Sequence, residues 1–265
     1  MRVRSSVVLV AMALGALSAC GGGDDGVAAT TTTATSDDGG LGGTLTVFAA
    51  ASLTDVFTDL GEQLEAGHPG LDVRFTFAGS SALATQVTQG APADVFASAN
   101  ESQMAVVTEA GLADGEPQVF AANVLQIAVP AGNPAGVTGL ADLAREELAL
   151  AVCAPQVPCG AAAEDVFAAA GVEAAPDTLE EDVRAALTKV EIGEVDAALV
   201  YTTDVTAAGD AVEGIDVPEA ERAVNDYPVA VLADAPNPQA AAAFVELVRS
   251  EEGQQALAAA GFRIP

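Results

Sequence analysis

Basic residues are scarce in this 265-residue chain: 9 Lys and Arg stand against 38 Asp and Glu, a formal charge of −29. So few cations cannot neutralise a run of phosphates, which excludes sequence-independent nucleic-acid binding. The same scarcity leaves no basic patch for docking on anionic lipid. There is one histidine, so a histidine-rich metal site is excluded by count. Tryptophan is absent and tyrosine occurs twice. Three cysteines are too few for a disulfide scaffold, although their positions carry meaning. Apolar residues are abundant, at 51%. That is ample for a core and incompatible with a wholly disordered chain. The length suits one large or two medium domains.

Residues 1–20 read MRVRSSVVLVAMALGALSAC. Arg2 and Arg4 make a positive region and Val7 to Leu14 an apolar one, too short and one-sided for a spanning helix. Leu17-Ser18-Ala19-Cys20 resembles a bacterial lipobox. That resemblance implies a signal peptide over 1–19 and a lipid on the Cys20 thiol; an ordinary secretory signal cut nearby is the alternative. Both imply export. Residues 21–43 are mostly Gly, Thr, Ala and Asp, with almost nothing to bury. With Cys20 they read as a flexible tether over 20–43. The expected location is the extracytoplasmic face of the cell membrane, with the folded part held near the membrane and outside it.

From Thr44 onward, strand and helix patterns alternate. Thr44–Ala50 is a short β-rich run, and Leu53, Val56, Phe57, Leu60 and Leu64 then repeat at helical spacing. Strands are expected at Leu71–Ala78, Val95–Ala97, Val124–Val129, Leu148–Cys153, Ala197–Tyr201 and Val229–Ala233. Helices are expected from Ser80, over Glu101–Ala110, Ala161–Ala170 and Asp182–Ile192, and twice within Gln239–Ala260. This alternation implies an α/β fold with parallel sheets and helices on both faces.

Two strand ends share one design. Phe48-Ala49-Ala50-Ala51-Ser52 and Phe77-Ala78-Gly79-Ser80-Ser81 each run from a strand through a small-residue turn to a hydroxyl at a helix start. Helix starts offer free N–H groups and the positive end of the dipole, which suits anions. Open α/β sheets bind ligands outside the carboxyl ends of their strands. The bland alternative is that both serines merely cap, Ser52 pairing with Asp55 in a capping-box-like spacing.

Five blocks then occur in a telling order: Thr46–Thr54, Gly90–Phe96, Val157-Pro158-Cys159-Gly160, Glu181-Asp182-Val183-Arg184 and Val200-Tyr201-Thr202-Thr203-Asp204. Over roughly residues 44–265 they resemble the molybdate-binding proteins of ABC importers. The resemblance implies a two-lobed periplasmic-binding-protein type II fold, each lobe a sheet flanked by helices, with the ligand cleft between lobes. Lobe 1 is expected at 44–122 plus 229–265, and lobe 2 at 123–228. The implied cargo is molybdate or tungstate, with no other metal, no cofactor and no catalytic role. The implied partners are the permease subunits of the importer, with the membrane reached through Cys20; a monomer is expected.

Carried over one position at a time, the implied oxyanion set is Ser52, Ser80, Cys159, Val183 and Tyr201. Cys159 stands where the family commonly has Ala, and only its backbone N–H is implicated. Ser81, Arg184 and Asp204 are candidates for a supporting layer. Arg184 reads equally as a solvated or ion-paired residue, and Asp204 as an acceptor that orients the Tyr201 loop or as a helix cap. No Lys or Arg falls in the implied ligand set, so hydroxyls and N–H groups would carry the anion's charge.

Alternatives remain at this level. A sulfate receptor would use the same donors. A secreted serine hydrolase using Ser52 or Ser80 would need a base, and the only histidine, His68, falls in a Gly-His-Pro-Gly turn. There is also no Gly-x-Ser-x-Gly elbow. Asp94 reads as a turn or strand-edge residue. Cys153 and Cys159 are expected to form a disulfide, because the exported compartment permits oxidation; two reduced thiols are the alternative.

Overall fold

A computed structural model describes residues 40–265. The expected signal peptide over 1–19, the lipidation candidate Cys20 and most of the expected tether, up to residue 39, lie outside the described residues. Ten strands and eight α-helices follow in order. They are β1 (Gly42–Ala50), α1 (Thr54–Gly67), β2 (Gly70–Ala78), α2 (Ser80–Thr88), β3 (Val95–Ala97), α3 (Glu101–Glu109), β4 (Gln118–Asn123) and β5 (Leu125–Pro130). Then come β6 (Leu150–Cys153), α4 (Pro158–Ala170), β7 (Thr178–Glu180), α5 (Val183–Glu191), β8 (Ala197–Tyr201), α6 (Thr202–Ala208) and β9 (Val212–Asp216). The chain ends with β10 (Asn225–Val231), α7 (Pro238–Arg249) and α8 (Glu251–Ala259).

The strands form two five-stranded sheets, ordered β2-β1-β3-β10-β4 and β7-β6-β8-β5-β9. Both sheets are mixed, which corrects the expectation of parallel ones. β1, β2 and β3 run parallel, as do β6, β7 and β8, but β10 is antiparallel to β3 and β4, and β5 to β8 and β9. The antiparallel strands lie where the chain changes sheets. It leaves the first sheet at β4, enters the second at β5 through Val124 alone, and returns at β10.

The apolar spacing in α1 does what it implies: Val56, Phe57, Leu60 and Leu64 are all buried. They pack with Phe244 and Phe120, whose rings lie 5.2 Å and 5.8 Å from that of Phe57. The first sheet has an apolar cluster on each face, and the second sheet is the spine of a third. β1 begins at Gly42, two residues ahead of its apolar pattern, because Gly42 and Gly43 pair through backbone alone with Gly70 and Leu71. β10 starts at Asn225 rather than Val229, since its first half pairs with β4. Asp94 lies in the bend just before β3, as its reading as a turn or strand-edge residue implies, and it is buried. Its carboxylate accepts the N–H groups of Thr46 (2.7 Å) and Asn237 (2.5 Å), tying β1 to the approach of α7. No helix among the described residues is long and apolar enough to cross a membrane.

Candidate functional site

Five segments that follow parallel strands converge on one cavity. Ser52 lies in the 3-10 turn after β1, Ser80 opens α2 after β2, and Cys159 lies in the first turn of α4 after β6. Val183 opens α5 after β7, and Tyr201 ends β8. All five line the same cavity, with Gly79, Ala99 and Asp182. It measures about 10 Å³ to the centre of a water-sized sphere, so it seats one compact group and excludes a typical organic ligand. Neither Lys nor Arg lines it. Two of the five residues come from the first sheet's connections and three from the second's.

The helix starts around this cavity differ from those elsewhere. Away from it, α3, α7 and α8 are capped by the side chains of Asn100, Asn237 and Ser250. At the cavity, the 3-10 turn before α1 and the starts of α2 and α4 have no side-chain cap. Their first N–H groups are therefore free donors. Helix α5 is the exception, as Asp182 accepts the Ala185 N–H at 2.9 Å.

The hydroxyls are held in place by other groups. The Ser52 and Tyr227 hydroxyls are 2.9 Å apart. Ser80 Oγ accepts the Ala99 N–H at 3.0 Å, which leaves its own proton to give. Neither serine caps its helix, so the capping alternative is set aside. Tyr201 is buried, and its hydroxyl has no hydrogen-bond partner. The neighbouring Tyr227 ring stands edge-on at 6.0 Å and does not bond it. Burial holds both phenols well above their ordinary pKa, so each is a neutral O–H donor. A buried O–H without an acceptor is costly, and Tyr201 is one of the residues that line the cavity.

Behind Tyr201, the fully buried Asp204 carboxylate accepts the Tyr201 N–H at 3.0 Å. Its other oxygen lies 3.0 Å from Arg184 Nε. Burial raises its pKa to about 7, against the pull of Arg184. Arg184 also pairs with Asp55 on α1. Asp204 therefore accepts a hydrogen bond and Arg184 is ion-paired, whereas Ser81 is half-buried and does not line the cavity. Cys153 and Cys159 form a disulfide with Cα atoms 5.7 Å apart. Next to it, a Cβ on Gly160 would meet the Ala154 carbonyl oxygen at 1.9 Å, so the turn closes around a bare backbone. His68 sits at the far end of α1, half-exposed, with Nδ1 3.4 Å from the Leu41 N–H. The 14-residue helix puts it about 20 Å from Ser52, so no imidazole serves that serine.

Tyr227 was not among the residues singled out from sequence. The signal available was its rarity, as one of two tyrosines, the other being Tyr201. Gly79 reads in the sequence only as a turn residue. A Cβ there would meet the Glu181 carbonyl oxygen at 2.2 Å, across the gap between the two sheets' connections.

This architecture recurs in proteins of known structure. The periplasmic molybdate-binding protein of Azotobacter vinelandii superposes with a TM-score of 0.71 at 21% identity, over 83% of this chain and 99% of that one. The sulfate-binding protein SubI of Mycobacterium tuberculosis gives 0.71 at 20% identity, over 83% and 86%. At such identity the likeness is one of fold. In sequence, the molybdate-binding protein ModA of Mycobacterium tuberculosis is 46% identical over 222 residues, covering 84% of this chain and 85% of the relative. A family model described as bacterial extracellular solute-binding protein matches residues 45–263, nearly all of the two-sheet unit that builds the cavity. With fold, sequence and the matched span in agreement, the chain belongs to the family of bacterial extracellular solute-binding proteins.

Proposed function

We propose that this protein captures a tetrahedral oxyanion, molybdate or tungstate, between its two lobes and delivers it to the permease of an ABC importer. The observation that carries the reading is the buried, unpartnered hydroxyl of Tyr201, a residue that lines a compact cavity shared with Ser52, Ser80 and uncapped helix starts. The donors are three hydroxyls and the N–H groups of Ser52, Ser80, Cys159 and Val183. A buried dianion needs its charge compensated, and here oriented dipoles rather than cations supply that. The molybdate-binding relative at 46% identity supports the choice of cargo. The fold alone does not make that choice, since a sulfate-binding protein shares it.

Selectivity follows from donor chemistry. Hydrogen phosphate brings an O–H that needs an acceptor, whereas the lining is rich in donors and its one carboxylate, Asp182, already accepts the Ala185 N–H through one oxygen, which favours a fully deprotonated anion. Sulfate passes that filter and is separated by size. The lobes, set at 44–122 plus 229–265 and 123–228, close over the anion, and a lipid on Cys20 keeps the receptor beside its permease. Calorimetric titration with molybdate, tungstate, sulfate and phosphate tests the reading. Tight binding of the first two with weak or absent binding of phosphate is expected; tightest binding of sulfate would reassign the cargo, and no heat with any oxyanion would overturn the reading.

A further inference from the structure

Arg184 stands beside the cavity without lining it, yet it joins both lobes. On its own side it meets Asp204, whose second oxygen holds the Tyr201 backbone. On the other side it pairs with Asp55, in the first turn of α1, three residues after Ser52. The chain of contacts therefore runs from one cavity-lining residue, Tyr201, through Asp204, Arg184 and Asp55 to the turn that carries another, Ser52. Among the described residues, the other ion pair that joins the two sheets' elements, Arg263 with Glu221, has no member lining the cavity. The Arg184 guanidinium is about a quarter exposed and the Asp55 carboxyl about three-fifths. They lie on a groove that Ser52, Thr203 and Phe262 also line, open to solvent on the Ser52 side of the cavity.

We infer that Arg184 and Asp55 form a latch across the cleft that slows release of the bound anion, with Asp204 fixing the latch to the Tyr201 loop. This inference rests on the receptor reading above. Geometry argues for it over a simpler role in which Arg184 only offsets negative charge near an anion. A charge-offsetting Arg needs no partner on the opposite lobe, and a carboxylate three residues from Ser52 works against anion binding unless it does something else. Pairing across the cleft is that other function. An open cleft separates the pair, so its energy is available only when the lobes meet, which places the effect in dissociation rather than encounter.

The two roles make opposite predictions for Asp55→Asn, the cleaner variant because Asp55 is exposed and Asp204 keeps its Arg. Removing a negative charge near the site should slow release or leave it unchanged if potential alone matters. Removing a latch should speed it. The measurement is release of radiolabelled molybdate from the full-length protein after a chase with unlabelled molybdate, for wild type, D55N, D55E and R184Q. The expected result is release about three- to five-fold faster in D55N at low ionic strength, the size open to a partly exposed pair. The difference should shrink as salt is raised. D55E should release at the wild-type rate, and D55N combined with R184Q should be no faster than R184Q alone. Release from D55N at or below the wild-type rate overturns the latch while leaving the receptor intact. A wild type that binds no molybdate overturns the receptor reading and the latch with it, so the two failures are told apart within one experiment.

Discussion

Tyr201 and Asp204 carry opposite costs in the folded protein, and each cost has a measurable consequence. The Tyr201 hydroxyl is buried without a partner, so removing it should leave unliganded stability nearly unchanged. Toward a bound anion it is one donor of about seven, worth roughly 1.5–3 kcal/mol. Tyr201→Phe should therefore weaken molybdate about 10- to 150-fold by calorimetry, with a thermal midpoint close to wild type; unchanged affinity would remove Tyr201 from the ligand set. Asp204 is raised from 3.8 to about 7 by burial, with Arg184 lowering it and Asp55 and Asp182 adding to the rise. Between those values the folded protein holds a proton that the unfolded chain has released. The stability contributed by this group therefore falls as pH climbs from about 4 to about 7. Other acids also titrate there, so the test is a difference: the unfolding midpoint of wild type minus that of Asp204→Asn should fall across this window. A flat difference would mean that Asp204 ionises at its ordinary value.

At the scale of elements, the recurring unit is a parallel strand, a tight turn and an uncapped helix start. It was legible because each part leaves a local mark: apolar alternation, then Gly or Ala, then a hydroxyl. Ser52 and Ser80 could be singled out on that ground, while Cys159, Val183 and Tyr201 came through the resemblance. Other features left no local mark. β7 spans three residues, none of them buried, and most of β9 is exposed. These edge strands are specified by their neighbours' backbone rather than by their own composition. Tyr227 meets Ser52 across 175 positions and Arg184 meets Asp55 across 129, separations that no sequence window contains. Asp94 sits in the turn its neighbours imply, but its tie between β1 and the approach of α7 leaves no local mark, because its two N–H partners come from remote strand and loop ends. The β6–α4 turn carries its own constraint in the Cys153–Cys159 disulfide. Closing so short a loop is worth about 2 kcal/mol in the chain-entropy model. Replacing both cysteines with Ala should lower unfolding stability by about that amount. It should also weaken anion binding, since the Cys159 N–H must then be ordered on binding. Full affinity in the double variant would confine the disulfide to stability.

On the scale of the whole molecule, a chain with a formal charge of −29 repels the anions proposed as its cargo. Long-range steering works against capture, so affinity has to come from enclosure, in which donors of both lobes close on the ligand and exclude water. Enclosure requires the connections of the two sheets to approach at backbone distance, and at Gly79 they do. Its φ of −59° suits any residue, so its value is steric: a Cβ there would meet the Glu181 carbonyl oxygen at 2.2 Å. Main chain stands on both sides of that contact, and neither side has a flexible side chain that could yield. Gly79→Ala should therefore fold normally, hold the cleft partly open and bind molybdate more weakly, although no donor has been removed. Small-angle scattering of the wild type should show a smaller radius of gyration on adding molybdate, as expected for hinge closure. The alanine variant should compact less at saturation. If both proteins compact equally and bind equally well, the lobes do not need contact at Gly79, and enclosure is achieved by the side-chain donors alone.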